Sequence, residues 1–151
     1  MKNLIILITL ILCTNNALAQ VGIGTTDPKS TLDINGNLSL KVVSLNGGPS
    51  GAATSIDDGV YINLTPTFGN ADFELPDPRT VPGRIYILRN ITDTETAYIL
   101  TQGAGVEFFA GDSTSSTTVV NMTTAVGGGN LNKTLIFISD GSNWTYGKLG
   151  F

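Results

Sequence analysis

The chain contains no histidine and a single cysteine, Cys13. Without histidine it lacks the commonest general base and the commonest transition-metal ligand, which excludes Ser-His and Cys-His nucleophilic sites and nearly excludes a zinc site. Cys13 lies in a segment that we expect to be removed, so disulfides cannot stabilise the mature fold. We therefore expect no cofactor, no metal site and no catalytic residue.

Positive charge is also scarce. The sequence holds 8 Lys+Arg against 12 Asp+Glu, and Lys2 would leave with the N-terminal leader. No basic cluster remains that could neutralise phosphates, which argues against nucleic acid as a partner. Adhesion to anionic lipid is not expected for the same reason.

The first 19 residues have the pattern of an export signal. Lys2 provides a short positive start, residues 4–12 form an apolar run, and Ala17-Leu18-Ala19 is a small-residue cleavage site. The run is about half the ~20 residues that a membrane-spanning helix needs, so we expect cleavage before Gln20 and no membrane span in the mature chain. Lipidation at Cys13 is less favoured because Leu12 precedes it. The predicted location is secreted or outer cell surface, with the periplasm as an alternative.

The mature sequence alternates with the period of β-strands and shows no helical stripe. Val60, Ile62 and Leu64 alternate with polar residues, as in a strand with one buried face. Residues 85–88 and 135–138 are apolar on both faces, so we expect central strands covered on each side. The sequence predicts an all-β fold, a small sandwich, barrel or β-prism of short antiparallel strands, preceded by a short extended N-terminal element.

Small and polar stretches suggest where the chain is divided. Residues 47–55 contain several Gly, Ala and Ser residues, and we interpret them as a linker. The predicted organisation is a signal peptide at 1–19, an N-terminal stalk or attachment element at 20–46, this linker, and a main β domain at 56–151. Within that domain, we expect a hairpin across Asp140-Gly141-Ser142 and a mobile loop at 125–130.

An apolar edge is expected in the N-terminal element, because Leu32, Ile34, Leu38 and Leu40 all occupy even positions between polar residues. Either one strand runs straight through Gly36, or a three-residue loop makes a hairpin in which Ile34 faces Leu38. In both cases the segment is too small to bury the edge by itself. The edge then packs on the chain's own main domain or on identical copies, and the pattern alone does not choose between them.

Two segments carry a resemblance to known proteins. Residues 21–38 (VGIGTTDPKSTLDINGNL) resemble a segment recurrent in exported surface proteins of Bacteroidota and in phage tail-fibre proteins. Phe73-Glu74-Leu75-Pro76, Val81-Pro82-Gly83-Arg84 and Asp140-Gly141-Ser142-Asn143-Trp144, in this order, resemble a β-rich module of phage tail fibres and related secreted bacterial proteins. The resemblance implies a β-structured, trimeric, fibre-like or adhesive protein.

Three aromatic residues are candidates for contact with a ligand or a neighbouring subunit. Trp144 and Tyr146 alternate along one strand, so both rings lie on one face, where they could stack on sugar rings. The ordinary alternative is a core or subunit-interface face. Phe108 and Phe109 must point to opposite faces, which would place one in the core and the other at an interface.

Two classes of function remain. We favour a non-catalytic structural or adhesive protein of the bacterial cell surface, a homo-oligomer with the trimer favoured, which contacts a surface glycan by carbohydrate binding or contacts other surface proteins. The alternative is an exported glycan-active hydrolase that uses a carboxylate pair, as glycosidases do. The acidic residues that could supply such a pair are Asp57, Asp58, Asp72, Glu74, Asp77 and Glu107.

Overall fold

The structure is a computed structural model that describes Lys2, residues 20–124 and residues 132–148. The rest of the predicted leader and the predicted loop at 125–130 lie outside the described residues. The described residues form strands and one 3-10 turn, Pro78–Thr80, which confirms the all-β prediction. No helix in this part of the chain is long and apolar enough to cross a membrane. The strands are β1 (Val21–Ile23), β2 (Leu32–Ile34), β3 (Val42–Asn46), β4 (Thr54–Ser55), β5 (Tyr61–Thr65), β6 (Asp72–Leu75), β7 (Ile85–Asn90), β8 (Ala97–Thr101), β9 (Phe108–Ala110), β10 (Ser116–Thr117), β11 (Val120–Met122), β12 (Thr134–Ser139) and β13 (Trp144–Lys148).

The chain divides into two compact units, of which the first ends at Ser39 and the second begins at Leu40. This division lies before the linker that the sequence predicts at 47–55. β3 belongs to the second unit because it pairs along its whole length with β5. Gly48 and Asp72 exchange two backbone hydrogen bonds of 3.0 Å, and β4 pairs with β6, so residues 47–55 run as part of the second unit.

In the first unit β1 and β2 form a two-stranded parallel sheet. Residues 24–31, which connect β1 to β2, are few for a parallel pair. Their path requires glycine at two positions. A Cβ at Gly22 would lie 2.6 Å from the Thr25 carbonyl oxygen, and Gly24 has a φ of +71°. The loop therefore folds closely over the face of the sheet that carries Gly22. The predicted hairpin and the predicted continuous strand are both wrong, because β2 ends at Ile34 and its partner is β1.

The second unit is a sandwich of two sheets. The seven-stranded sheet has the order β10-β9-β13-β12-β7-β5-β3, and the four-stranded sheet has the order β11-β8-β6-β4. The core between them is built from alternate residues of facing strands, and its largest fully buried side chains are Trp144, Tyr86, Phe73, Phe108 and Phe137.

The pairing in both sheets is mixed, which corrects part of the sequence prediction. From β3 to β8 the chain alternates between the two sheets, so each strand returns to its own sheet in the same direction as before. This places β3, β5 and β7 parallel in one sheet and β4, β6 and β8 parallel in the other. The predicted antiparallel pairing is found among β7, β12 and β13, between β8 and β11, and between β9 and β10.

The central strands β7 and β12 are buried on one face only. Tyr86, Leu88, Leu135 and Phe137 face the core. The alternate residues lie on the far side of the seven-stranded sheet, which no other sheet formed by the described residues of this unit covers. The prediction that these strands are covered on each side is therefore wrong for the single chain. We call this surface the outer sheet face; its residues include Val42, Tyr61, Ile85, Ile87, Phe109, Ile136, Ile138, Thr145 and Gly147.

Candidate functional site

The three parts of the second sequence pattern meet at one end of the sandwich. The indole Nε1 of Trp144 donates to the carbonyl oxygen of Pro76 and to Oγ1 of Thr101, at 3.1 Å each. Pro76 follows a strand of the four-stranded sheet, and Trp144 begins β13 of the seven-stranded sheet. The indole therefore joins the two sheets through hydrogen bonds at one end of the core.

The aspartate and the asparagine of the same pattern shape the turn before Trp144. The Asp140 carboxylate accepts from the backbone N–H groups of Ser142 and Asn143, at 2.7 Å each. The side-chain oxygen of Asn143 accepts from the backbone N–H of Glu107 at 3.0 Å. These bonds confirm the predicted hairpin between β12 and β13 and connect it to the segment that leads into β9.

The proline-glycine-arginine part packs against the same hairpin. Gly83 has a φ of +75°, and its N–H donates to the carbonyl oxygen of Ser139 at 3.0 Å. The buried Ser139 hydroxyl donates to the Pro78 carbonyl oxygen at 2.9 Å. The pattern thus stabilises this end of the sandwich, because the side chains of Trp144, Asp140, Asn143 and Ser139 each bond a backbone group.

The three aromatic candidates for a ligand or interface contact lie mainly in the core, which is the alternative that the sequence left open for Trp144 and Tyr146. Trp144 and Phe108 are fully buried, and the Trp144 ring lies 5.8 Å from that of Tyr86. Tyr146 is half-buried and stacks on Phe137 at 5.9 Å. Trp144 and Tyr146 do share one strand face, but that face is turned toward the opposite sheet, so it cannot serve as a platform for sugar rings.

A cavity of about 340 Å³ lies beside Tyr146. Asp112 and Lys148 supply charged groups on its wall, and Leu135 supplies apolar surface. A single carboxylate residue is present in this lining, so the cavity does not provide the pair of acids that glycoside hydrolysis requires.

The predicted apolar edge of the N-terminal element is only partly reproduced. Leu32 and Ile34 share a face of β2, whereas Leu38 lies outside the strands of the first unit and Leu40 begins the second unit. Leu32, Leu38 and Leu40 are all exposed.

Two further residues complete the apolar face of the first unit. The parallel register pairs Val21 with Leu32 and Ile23 with Ile34, so four apolar side chains lie on one side of this small sheet. Val21 is 53% exposed, Ile23 54% and Leu32 56%. In the sequence, Val21 and Ile23 flank Gly22 as Leu32 and Ile34 flank Asp33. This repeated alternation is the signal that could have identified β1. We call these four residues the N-terminal apolar face.

The acidic residues that were candidates for a catalytic pair serve other roles. Asp58 forms an ion pair with Lys41, and the hydrogen bond from Lys41, with a second from the Gly59 N–H, lowers the pKa of this carboxyl. The hydrogen bond from Arg79 lowers the pKa of Asp77, and the two side chains approach to 2.6 Å. A general acid needs a raised pKa, which is the opposite of the shift seen at these two residues.

Of the remaining acidic candidates, two lie on one face of β6 and a third lies before β9. Asp72 and Glu74 point away from the core on β6, and Glu74 accepts from the Gln102 amide at 3.1 Å. Glu107 uses its backbone N–H and carbonyl to hold the β12–β13 hairpin. The hydrolase alternative gains no support from this arrangement.

Comparisons with known protein families, curated proteins and solved structures find no match to this chain.

Proposed function

We propose that the exported chain is a non-catalytic structural or adhesive subunit that works as a homo-oligomer, with a tail-fibre-like trimer as the favoured state. Its place would be the outer cell surface or the surrounding medium, where it would contact a surface glycan or another surface protein. The observation that carries the proposal is the N-terminal apolar face.

The N-terminal apolar face supports assembly because three of its four side chains are exposed in the part of the first unit that the structure describes. A two-stranded sheet is marginal in water without a surface to pack on. The connecting loop folds over the other face, where Lys29 N–H donates to the Asp33 carboxylate at 2.7 Å. Burying the exposed halves of Val21, Ile23 and Leu32 would contribute about 1 kcal/mol each.

Identical copies are the natural cover for this face. Every copy carries the same apolar residues, so closed symmetric association buries all of them at once. The resemblance of residues 21–38 to fibre and surface proteins points to the same arrangement. Contact with a glycan or partner protein would then use exposed surface of the assembly, and not Trp144 or Phe108.

The test is the mass of the mature protein, residues 20–151, measured by light scattering with and without charge on the N-terminal apolar face. Leu32→Lys places an ammonium among the four apolar residues, and we expect it to lower the oligomeric mass. Thr26→Lys adds the same charge at an exposed loop position of the same unit and should leave the mass unchanged. If the oligomeric mass is the same in the parent and in both variants, the proposed role of this face in assembly is contradicted.

A further inference from the structure

We propose that Asn35 is a site of spontaneous covalent modification, at which loss of the side-chain amide loosens the sheet of β1 and β2. The sequence contains two Asn-Gly dipeptides, Asn35-Gly36 and Asn46-Gly47. In such a pair the backbone nitrogen of the glycine can attack the side-chain carbonyl carbon of the asparagine, because glycine has no Cβ to obstruct it. The folded chain exposes the first pair to this reaction and restrains the second. The inference goes beyond the proposed function and does not depend on it.

The reaction needs water as its co-reactant and no oxidant or reductant. The Gly36 nitrogen gives up its proton and bonds to Cγ of Asn35, the bond from Cγ to Nδ2 breaks, and Nδ2 takes up a proton and leaves as ammonia. The product is a succinimide ring. Water then opens the ring at either of its carbonyl carbons, which gives aspartate or isoaspartate at position 35.

The surroundings of Gly36 leave its nitrogen accessible. Gly36 is exposed, and a Cβ added to it would meet nothing within 4 Å. Among the described residues, its N–H finds no hydrogen-bond acceptor. Asn35 is also exposed and follows the last residue of β2. The peptide between the two residues can therefore rotate toward Cγ without breaking a strand pairing or displacing a neighbour.

The hydrogen bonds of Asn35 do not hold the two reacting atoms apart. Its backbone N–H donates to the Ile23 carbonyl oxygen at 2.9 Å, on the side of the residue away from Gly36. Its Nδ2 donates to the Gly24 carbonyl oxygen at 3.2 Å, which is at the long end of the usual range. This second bond involves the departing nitrogen, so it is lost when ammonia leaves.

Asn46-Gly47 is restrained on the glycine side. Asn46 is the last residue of β3 and pairs with Thr65 of β5. The Gly47 N–H donates to the Thr65 carbonyl oxygen at 3.4 Å, and a Cβ on Gly47 would lie 2.3 Å from the Asn70 carbonyl oxygen. The hydrogen bond is long, so the close packing against Asn70 is the stronger restraint. Cyclisation at Asn46 therefore requires local opening of this end of β3.

The modification replaces a donor with an acceptor where β2 ends beside β1. A carboxylate accepts hydrogen bonds and cannot donate one, so the bond to the Gly24 carbonyl oxygen is lost in either product. The backbones are also close at this point, since a Cβ on Gly24 would lie 2.8 Å from the Asn35 carbonyl oxygen. The new negative charge thus lies near carbonyl oxygens that repel it, which weakens the junction of the two strands.

The experiment follows both asparagines in one sample. Residues 20–151, the expected mature protein, are incubated in mildly alkaline buffer, which favours loss of the glycine N–H proton, and a parallel sample is incubated in urea. Peptide mass spectrometry measures amide loss at each position. In the folded protein we expect Asn35 to react at least about tenfold faster than Asn46, because Asn46 reacts only on local opening. In urea the two rates should be similar. Equal rates in the folded protein, faster loss at Asn46, or loss at Asn35 in urea alone would overturn the inference.

Gly36→Ala tests the route through the glycine nitrogen. The methyl group fits, since Gly36 has open space around it and no positive φ, but it obstructs the attack. Loss at Asn35 should therefore slow several-fold in the folded variant. A rate equal to that of the parent would show that the amide is lost in another way.

Asn35→Asp tests the effect on the sheet, because it carries the charge of one product. Asn37→Asp is the matched control, since it adds the same charge at an exposed position of the same segment. Hydrogen exchange of the backbone N–H groups in β1 and β2 should be faster in Asn35→Asp than in Asn37→Asp. Exchange that does not differ between the two variants would contradict the role of the Asn35 amide in holding the sheet.

Discussion

The indole of Trp144 donates a hydrogen bond of 3.1 Å to the carbonyl oxygen of Pro76, a residue 68 positions earlier in the chain. The bond connects the two sheets of the sandwich at the end where the Leu75-Pro76 segment, the Pro82-Gly83 segment and the β12–β13 turn come together. Trp144, whose spacing from Tyr146 is compatible with a ligand platform, thus stabilises the core by connecting the two sheets.

Replacing Trp144 with phenylalanine should destabilise the fold even though an aromatic ring remains. The change leaves the Pro76 carbonyl and the Thr101 hydroxyl without their common donor, at a cost of about 1–3 kcal/mol plus the lost packing. Urea unfolding followed by circular dichroism measures the difference. Thr101→Val is the control, because it keeps the bond from the indole to Pro76 and should cost less. Equal stability of parent and Trp144→Phe would contradict this role.

Substitution of Asn90 should lower the free energy of unfolding more than substitution of an exposed polar residue. Its fully buried amide donates to the carbonyl oxygens of Glu95 and Met122, and its oxygen accepts from the N–H and the hydroxyl of Thr92. Asn90→Leu would leave these groups unpaired, and we expect a loss of about 2–4 kcal/mol in unfolding free energy. Asn121→Ala, at an exposed strand position, should change it by about 0.5 kcal/mol or less. Similar losses in the two variants would rule out the special role of Asn90.

The ion pair of Asp58 with Lys41 should make stability depend on acid pH. The pKa of Asp58 is lowered in the folded chain by the hydrogen bond from Lys41. The folded state therefore binds this proton less readily than the unfolded state, so the contribution is present above the unfolded pKa of about 3.9 and is lost as the pH falls through the folded value. Asp58→Asn should flatten that part of the profile of melting temperature against pH. An unchanged profile would show that the pair has no measurable effect.

Two glycines with similar φ angles allow the cost of backbone strain in an alanine variant to be distinguished from the cost of a steric clash of its Cβ. Gly59 has a φ of +78° and Gly69 a φ of +77°, but an added Cβ would lie 2.7 Å from Val43 Cγ2 only at Gly59, with nothing within 4 Å at Gly69. Alanine at either position carries a backbone penalty of about 1 kcal/mol. We expect Gly59→Ala to lower the melting temperature clearly more than Gly69→Ala. The same shift for both would mean that Val43 moves aside freely.

The sequence predicted the strands better than their arrangement. Alternation identified the buried faces of Ile62, Leu64, Phe73 and Leu75, because side-chain direction in a strand depends only on local period. Whether β5 pairs parallel or antiparallel depends on the path of the chain between the sheets, and the period of two carries no information on that path. The parallel sheet of β1 and β2 was missed for the same reason.

The candidate site was harder to predict than the fold. Trp144 and Tyr146 share a face, as their spacing requires, but the sequence could not show that a second sheet covers it. Conversely, the apolar residues on both faces of β7 suggested full burial, whereas Ile85 lies on an open face. Burial depends on which elements stack, and that information becomes available only with the tertiary structure.

The most direct test of the central claim is the molar mass in solution of residues 20–151, the expected mature protein. Light scattering over a range of protein concentrations should give about three times the mass of one chain, because we propose that other copies cover the N-terminal apolar face. A mass equal to one chain at every concentration would contradict the account.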